Sequence, residues 1–326
     1  GAYPDDAPEQ LAAVAREGGL RLIGPNCIGL MNMQTGLMAT FSNTVEDLAP
    51  AAVREGIAVV SQSGALGNYI LTRALDSGIP VAQWVATGNE ADVEFSETLE
   101  AMLEAPGVRG VLGYLEGARN GPRLRSVLEK ARVKGMPIAL IKVGRTEVGA
   151  TAIRSHTDAL AGDDTLYDAM LKDAGVARVD TVDELLELGR AYGSGTRVTG
   201  SDVLFSSVSG GVGVIMAEAA TDLGLTLPPL SAAAGAALKA KLPFMSPANP
   251  LDVTGQVVQD FDLLKAALEI GIEDTGAGCV ISFIGRIARR PKVLAQYMDA
   301  LDALEVQFPK SRVLTVGMLD ADSAAL

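Results

Sequence analysis

Ile57-Ala-Val-Val-Ser-Gln-Ser-Gly-Ala-Leu-Gly67 decides the fold of this chain. Ile57–Val60 is a short apolar run rich in β-branched side chains, the pattern of a strand buried on both faces of a parallel sheet. Ser61-Gln-Ser-Gly64 follows as a turn, and the residues from Ala65 to about Asp76 predict a helix. Strand, tight turn and helix together make half of a βαβ unit. Towards the C-terminus the alternation continues. Val81–Val85 reads as a strand leading into Thr87-Gly-Asn-Glu-Ala-Asp92, and a helix is expected over 94–104. The strand 110–115 precedes Glu116-Gly117 and a helix over 122–134. Pro137-Ile-Ala-Leu-Ile-Lys-Val143 reads as a further buried strand, with helices expected over 164–174 and 181–191. About five strands in this order imply a doubly wound α/β domain, flavodoxin-like or Rossmann-like.

On the N-terminal side lie an expected helix over 8–17 and a short strand, Leu20–Ile23. Gly24-Pro-Asn-Cys-Ile-Gly29 comes next. One helix and one strand cannot enclose a core, so residues 1–50 are expected to be the tail of a separate domain whose beginning is absent. On the C-terminal side Gly193-Ser-Gly-Thr-Arg-Val-Thr-Gly-Ser201 has linker composition. Then the opening pattern returns as Val203-Leu-Phe-Ser-Ser-Val-Ser-Gly-Gly-Val-Gly213. This is an internal repeat of a whole domain start. The expected organisation is therefore 1–50, 51–195 and 196–326, the last two being tandem flavodoxin-like domains with parallel sheets.

The chain has 326 residues, 48% of them hydrophobic and 21% charged, a globular balance. Its net charge of −13 argues against a nucleic-acid or anionic-membrane surface. An anionic ligand would have to be held by local dipoles or a few Arg and Lys. Two distant cysteines, Cys27 and Cys279, and one histidine exclude a His/Cys zinc site and point to a reducing compartment. There is no apolar run of membrane-spanning length and no basic-then-apolar start, so a cytoplasmic protein is expected.

Three constellations carry chemistry. The first is the lone histidine, His156, between the strand 137–143 and the helix at 164. About twenty residues punctuated by Gly144, Gly149 and Gly162 separate those elements, more than an ordinary strand-to-helix connection. A long loop is expected there, at the sheet edge where α/β proteins place ligands. The second is the pair of helix starts. Ser61, Ser63 and Gly64 could cradle phosphate on free N–H groups, and so could Ser209, Gly210 and Gly211. Helix capping and close helix–strand packing are the plainer uses of the same residues. There is no GxxxxGK[ST] and no GxGxxG, so neither nucleotide fingerprint is present. The third is Glu116, which ends its strand on the edge that holds the histidine. It would either steady one imidazole nitrogen or be a solvated carboxylate. A histidine nucleophile beside an anion cradle is the chemistry of phosphoryl transfer.

These motifs resemble those of the NDP-forming acyl-CoA synthetases, relatives of succinyl-CoA synthetase that include ADP-forming acetyl-CoA synthetase. The resemblance spans essentially the whole chain. It implies that Gly24–Gly29 closes a CoA-binding domain, with Asn26 and Cys27 near CoA. Ser61–Leu66 would be the phosphate-binding helix start. Ser155-His-Thr-Asp-Ala-Leu-Ala-Gly162 would be the phosphohistidine loop, with Glu116 steadying His156. Ser209–Gly211 and Asn249-Pro-Leu-Asp-Val253 would be the opposing helix start and loop. Gly88 and Asn89, with Asn249 and Asp252, would contact substrate or phosphate.

The implied reaction interconverts acyl-CoA, phosphate and NDP with carboxylic acid, CoA and NTP. It runs through an acyl phosphate and phosphorylated His156. CoA would be bound here, ATP/ADP with Mg by an ATP-grasp domain or subunit outside this chain, and an oligomer is expected. The fragment alone is expected to be inactive. One departure stands out: Asp158 occupies a position where the family usually has a small residue. It motivates a second reading, a catalytically weakened CoA-binding regulatory module such as that fused to protein acetyltransferases.

Overall fold

β3 (Gly56–Ser61) is fully buried, as its apolar, β-branched run requires. In the computed structural model it runs parallel to β4 (Val81–Ala86) on one side and to β5 (Val108–Leu115) on the other. β6 (Ile138–Lys142) and β7 (Ala177–Val179) complete the parallel set. The structure describes residues 6–46, 55–157, 162–195, 197–198, 200–258 and 260–317; the side chains of 45–46, 154–157, 256 and 258 are outside that description. Two compact units divide the chain, Gly1–Gly195 and Thr196–Leu326.

With β1 (Gly29–Asn32) and β2 (Leu37–Thr40), the strand order in the first unit is β2-β1-β4-β3-β5-β6-β7. Counted from β3, the parallel part reads 2-1-3-4-5, the flavodoxin-like order. Successive residues of β3 feed opposite faces. Ala58 and Val60 join Phe95, Leu99, Leu124, Leu128 and Leu171 on one side. Ile57 and Val59 join Ile70, Leu71, Trp84, Leu185 and Leu186 on the other. The first layer is built from α3 (Phe95–Glu104), α4 (Gly121–Lys134) and α6 (Asp164–Asp173). The second is built from α2 (Gly64–Asp76) and α7 (Val182–Gly193), the latter started by a Thr181/Glu184 capping box.

Residues 1–50 depart from expectation in two ways. α1 (Ala7–Glu17) forms, but 20–23 is not a strand. It is pinned instead by bonds to a neighbouring turn: Leu22 N–H donates to Asp92 Oδ2 and Val93 N–H donates to Leu22 O. Beyond it β1 (Gly29–Asn32) and β2 (Leu37–Thr40) form an antiparallel hairpin, and β1 pairs with β4. The hairpin thus extends the sheet of the next expected domain. Its half-buried, partly polar strands carry little periodic signal.

The segment with the histidine is also different from expectation. It is a helix, α5 (Glu147–Thr157), and not a loop. Thr146 starts it, accepting the Gly149 N–H on its Oγ1 and the Ala150 N–H on its carbonyl. Glu147 in the first turn complements the helix dipole. The cap and the alanines outweigh Gly149.

The second unit has the order β11-β10-β8-β9. β8 (Val203–Ser207), the short β9 (Leu251–Asp252), β10 (Cys279–Gly285) and β11 (Arg312–Gly317) are all parallel. α9 (Ala232–Lys241), α10 (Phe261–Thr275) and α11 (Pro291–Gln307) contribute Leu238, Leu264, Leu268, Leu294 and Leu301 to its main core. α8 (Gly210–Asp222) contributes Ala220 to a smaller cluster with Val203, Phe205 and Cys279.

Candidate active site

In a 2-1-3-4-5 sheet the strand order reverses between β3 and β5, and ligands bind beyond the carboxyl ends of the strands there. Ser61 ends β3 and Glu116 follows β5, so both lie at that switch point. Gln62 joins them. Its Oε1 accepts from the backbone N–H of Glu116 at 2.6 Å and of Gly117 at 3.1 Å, and its Nε2 donates to Gly117 O at 2.8 Å. Glu116 is only 5% exposed, so it is not a solvated strand-end carboxylate. Tyr114 lies 3.5 Å from its Oε1, and burial together with that carboxylate pushes the phenol up to about 12.

The two serines divide their work. Ser61 is fully buried and donates its hydroxyl to Ser63 O at 2.6 Å, which commits that proton within the turn. Ser63 caps α2 by accepting from Leu66 N–H at 3.3 Å. Gly64 and Ala65 follow in the first turn, where N–H groups have no intrahelical acceptor. The anion-binding capacity of this turn therefore rests on those amides and on Ser63.

Asn26, Gly88 and Asn89 come together on the same edge. Asn26 donates its side-chain amide to Asn89 Oδ1 at 3.2 Å, and the Asn89 N–H donates to Pro25 O at 2.9 Å. Gly88 has φ +63°, and a Cβ there would stand 2.5 Å from Pro25 O, so glycine alone lets these loops approach. Cys27 is half-buried, with its thiol 3.4 Å from Ile23 O. Thr87 N–H donates to Ser61 O, linking this loop to the switch point. His156 lies one residue from the end of α5, which leaves the neighbouring strand β6 through Val143. Its side chain, and Asp158 altogether, lie outside the described residues.

In the second unit Ser207 donates to Ser209 O at 2.7 Å, the counterpart of the Ser61–Ser63 bond. Ser209 makes no side-chain cap, and Gly210 lies against Asp252, whose Oδ2 would be 2.9 Å from a Cβ. Asp252 Oδ1 also accepts from Thr254 N–H. Ser207, Ser209, Gly210 and Asp252 line a groove of this unit, and Gly211, like Gly210, is exposed in the first turn of α8. Asn249 is engaged elsewhere: it accepts from Phe205 N–H and donates to Val203 O and Pro228 O. It braces β8 and has both amide protons committed.

Sequence reasoning missed Gln62, Glu90, Lys142 and Ser207. Glu90 is buried, and desolvation pushes its carboxyl up to about 7 against hydrogen bonds from Thr87, Gln62 and the Phe95 N–H. Its signal was a carboxylate inside the Gly88–Asp92 turn. Lys142 was visible as a charge ending an otherwise apolar strand. Among the described residues no group of three His, Cys, Asp or Glu could hold a metal ion. Among them, too, no helix is long and apolar enough to cross a membrane.

The strand order defines a flavodoxin-like domain, and residues 54–192 match the family described as succinyl-CoA ligase like flavodoxin domain. The alpha subunit of ADP-forming acetate–CoA ligase I of Pyrococcus furiosus is 36% identical over 247 residues, which is 76% of this chain and 52% of that subunit. An ADP-forming acetate–CoA ligase of Methanocaldococcus jannaschii is 33% identical over 252 residues, 77% of this chain and 35% of that protein. Among solved structures, PH0766 of Pyrococcus horikoshii is 26% identical with a TM-score of 0.80, covering 100% of this chain and 69% of that one. The dinucleotide-forming acetyl-coenzyme A synthetase 1 of Ca. Korarchaeum cryptofilum shares the fold, with a TM-score of 0.78 at 23% identity over 98% of this chain and 72% of its own. The chain belongs to the NDP-forming acyl-CoA synthetase family. It spans about half or less of the length of these curated ligases.

Proposed function

We propose that this chain is the phosphoryl-relay part of an NDP-forming acid–CoA ligase. The enzyme would interconvert acyl-CoA, phosphate and NDP with carboxylic acid, CoA and NTP. Phosphate attacks the acyl carbonyl, the C–S bond breaks, and CoA leaves as thiolate with an acyl phosphate formed. An imidazole nitrogen of His156 then attacks phosphorus, the P–O bond to the acyl group breaks, and carboxylate leaves. The first-turn amides of α2 and the Ser63 hydroxyl would hold the phosphoryl oxygens. Glu116 would accept the N–H of the other imidazole nitrogen and stabilise the charge that develops.

The observation that carries this reading is the buried Glu116 carboxylate at the switch point, beside the α2 start and one strand from the root of α5. A moving carrier is supported by the exposure of the first turns of α5. Ile153 is buried, whereas Val148 is 81% exposed and Thr151 and Ala152 are exposed too. CoA would approach through Asn26 and Cys27 in the loop that meets Gly88 and Asn89. The nucleotide and Mg would be held by an ATP-grasp domain or subunit; one of the relatives is named as an alpha subunit, which supports a separate partner.

Labelling tests the proposal. The polypeptide or complex that carries the ligase activity, given acyl-CoA and labelled phosphate, should yield an acid-labile, base-stable phosphoprotein. Equal labelling of His156→Ala would contradict it. Absence of labelling with retained CoA binding would favour the regulatory reading instead.

A further inference from the structure

Lys142 ends β6 and is 2% exposed, although the rest of that strand is apolar and buried. Its Nζ donates to Glu116 O at 2.9 Å and to Val143 O at 2.5 Å. It also lies 4.3 Å above the ring of Tyr167, on α6. The Tyr167 hydroxyl in turn accepts from Ala118 N–H at 2.8 Å. Arg178 of β7 donates to Lys142 O and to Asp164, the first residue of α6. Burying an ammonium costs free energy unless its donors are satisfied, and an apolar side chain would fill the end of a covered parallel strand without that cost. The contacts of this ammonium join three segments. They are the 116–118 turn, Val143 ahead of α5, and α6, the next helix in the chain.

We infer that Lys142 is a positioning residue that ties the Glu116 turn to both flanks of the histidine-bearing segment. The inference rests on the reading of His156 as the phosphorylated residue. The groups that face the ammonium are Glu116, Asp164, Arg178 and Tyr167. Burial, with Asp164 and Glu116 opposing it and Arg178 adding to it, lowers Lys142 to about 8 in all. Burial raises Tyr167, which stays neutral across this range. The clamp is therefore charged at pH 7 and loses its charge as the pH rises through 8, and the phosphorylation rate should fall along the same limb.

The test compares Lys142→Met and Lys142→Arg with the wild type in the polypeptide or complex that carries the activity. Lys142→Met should label His156 about 10²-fold more slowly at pH 7, the scale of a misplacement near 1 Å. Its KM for acyl-CoA should be unchanged and its alkaline limb absent. Lys142→Arg should recover part of the rate and shift the limb to higher pH. Amide exchange at Glu116–Ala118 and Val143 reads the clamp without any phosphorylation. Protection there should fall in Lys142→Met, and in the wild type between pH 7 and 9.5 after correction for intrinsic rates. Wild-type rate, pH profile and protection in Lys142→Met would overturn the inference. If wild-type His156 is not labelled, the phosphohistidine reading falls, and the exchange data still decide the clamp.

Discussion

Gln62 holds Glu116 by its backbone: one side-chain oxygen accepts from two successive N–H groups, of Glu116 and Gly117, across the strand-order reversal. Gln62 immediately precedes Ser63, the cap of α2, so the carboxylate inherits the position of that helix start. Gln62→Ala would strand two buried N–H groups and one carbonyl, at about 1–3 kcal/mol for each uncompensated group. We predict a stability loss of roughly 3 kcal/mol, read by denaturant titration, and a lower kcat with little change in KM.

Glu90 predicts a pH dependence of stability. Its folded-state carboxyl titrates near 7, above the ordinary 4.5, because burial penalises the anion. Between those values the folded chain holds a proton that the unfolded chain has released. The stabilisation from this group is therefore full below 4.5 and is lost as the pH rises through 7. The ceiling is about 3 kcal/mol, because each tenfold change in proton affinity corresponds to roughly 1.4 kcal/mol. Glu90→Gln should lack this slope and be more stable than wild type at pH 8 in parallel thermal melts.

Asp92 predicts the opposite sign. Hydrogen bonds from Arg21, the Leu22 N–H and Arg16 hold its carboxyl well below the usual range. Its contribution is present above the unfolded value near 3.8 and is lost as the pH falls. Asp92→Asn should loosen the 20–23 segment and raise its amide exchange, leaving β3 and β5 protected.

Gly88→Ala places a Cβ against Pro25 O and Asn26 O at φ +63°. Both contacts are backbone, so the loops must separate. About 1–3 kcal/mol of stability should be lost, and CoA affinity, measured by calorimetry, should fall more than affinity for phosphate.

The strands plainest in the sequence were those whose whole surface is buried, although the partly exposed β4 and β5 could be read too. Ile57–Val60 and Ile138–Ile141 could be read because both faces of a central parallel strand are apolar. β7 and β9 have three and two residues, too few to show a period, and the β1–β2 hairpin is half-exposed. α5 was hidden by Gly149, whose break signal masked the Thr146 cap. At the site, the residue types showed as motifs, but their partners did not. Gln62 reaches Glu116 over 54 positions and Lys142 reaches it over 26, and no local pattern encodes such pairs. The repeat of Ser61–Ser63 as Ser207–Ser209 was legible as sequence, whereas the hydroxyl-to-carbonyl bond they share was not.

The central claim is that His156 carries the phosphoryl group with Glu116 as its support, and one measurement bears on it most directly. In single-turnover labelling with acyl-CoA and labelled phosphate, the wild type should form a base-stable, acid-labile phosphoprotein that maps to the peptide containing His156. Glu116→Gln should form it at least about 10²-fold more slowly, and His156→Ala should form none. Undiminished labelling of His156→Ala, or label on any other residue, would contradict the account.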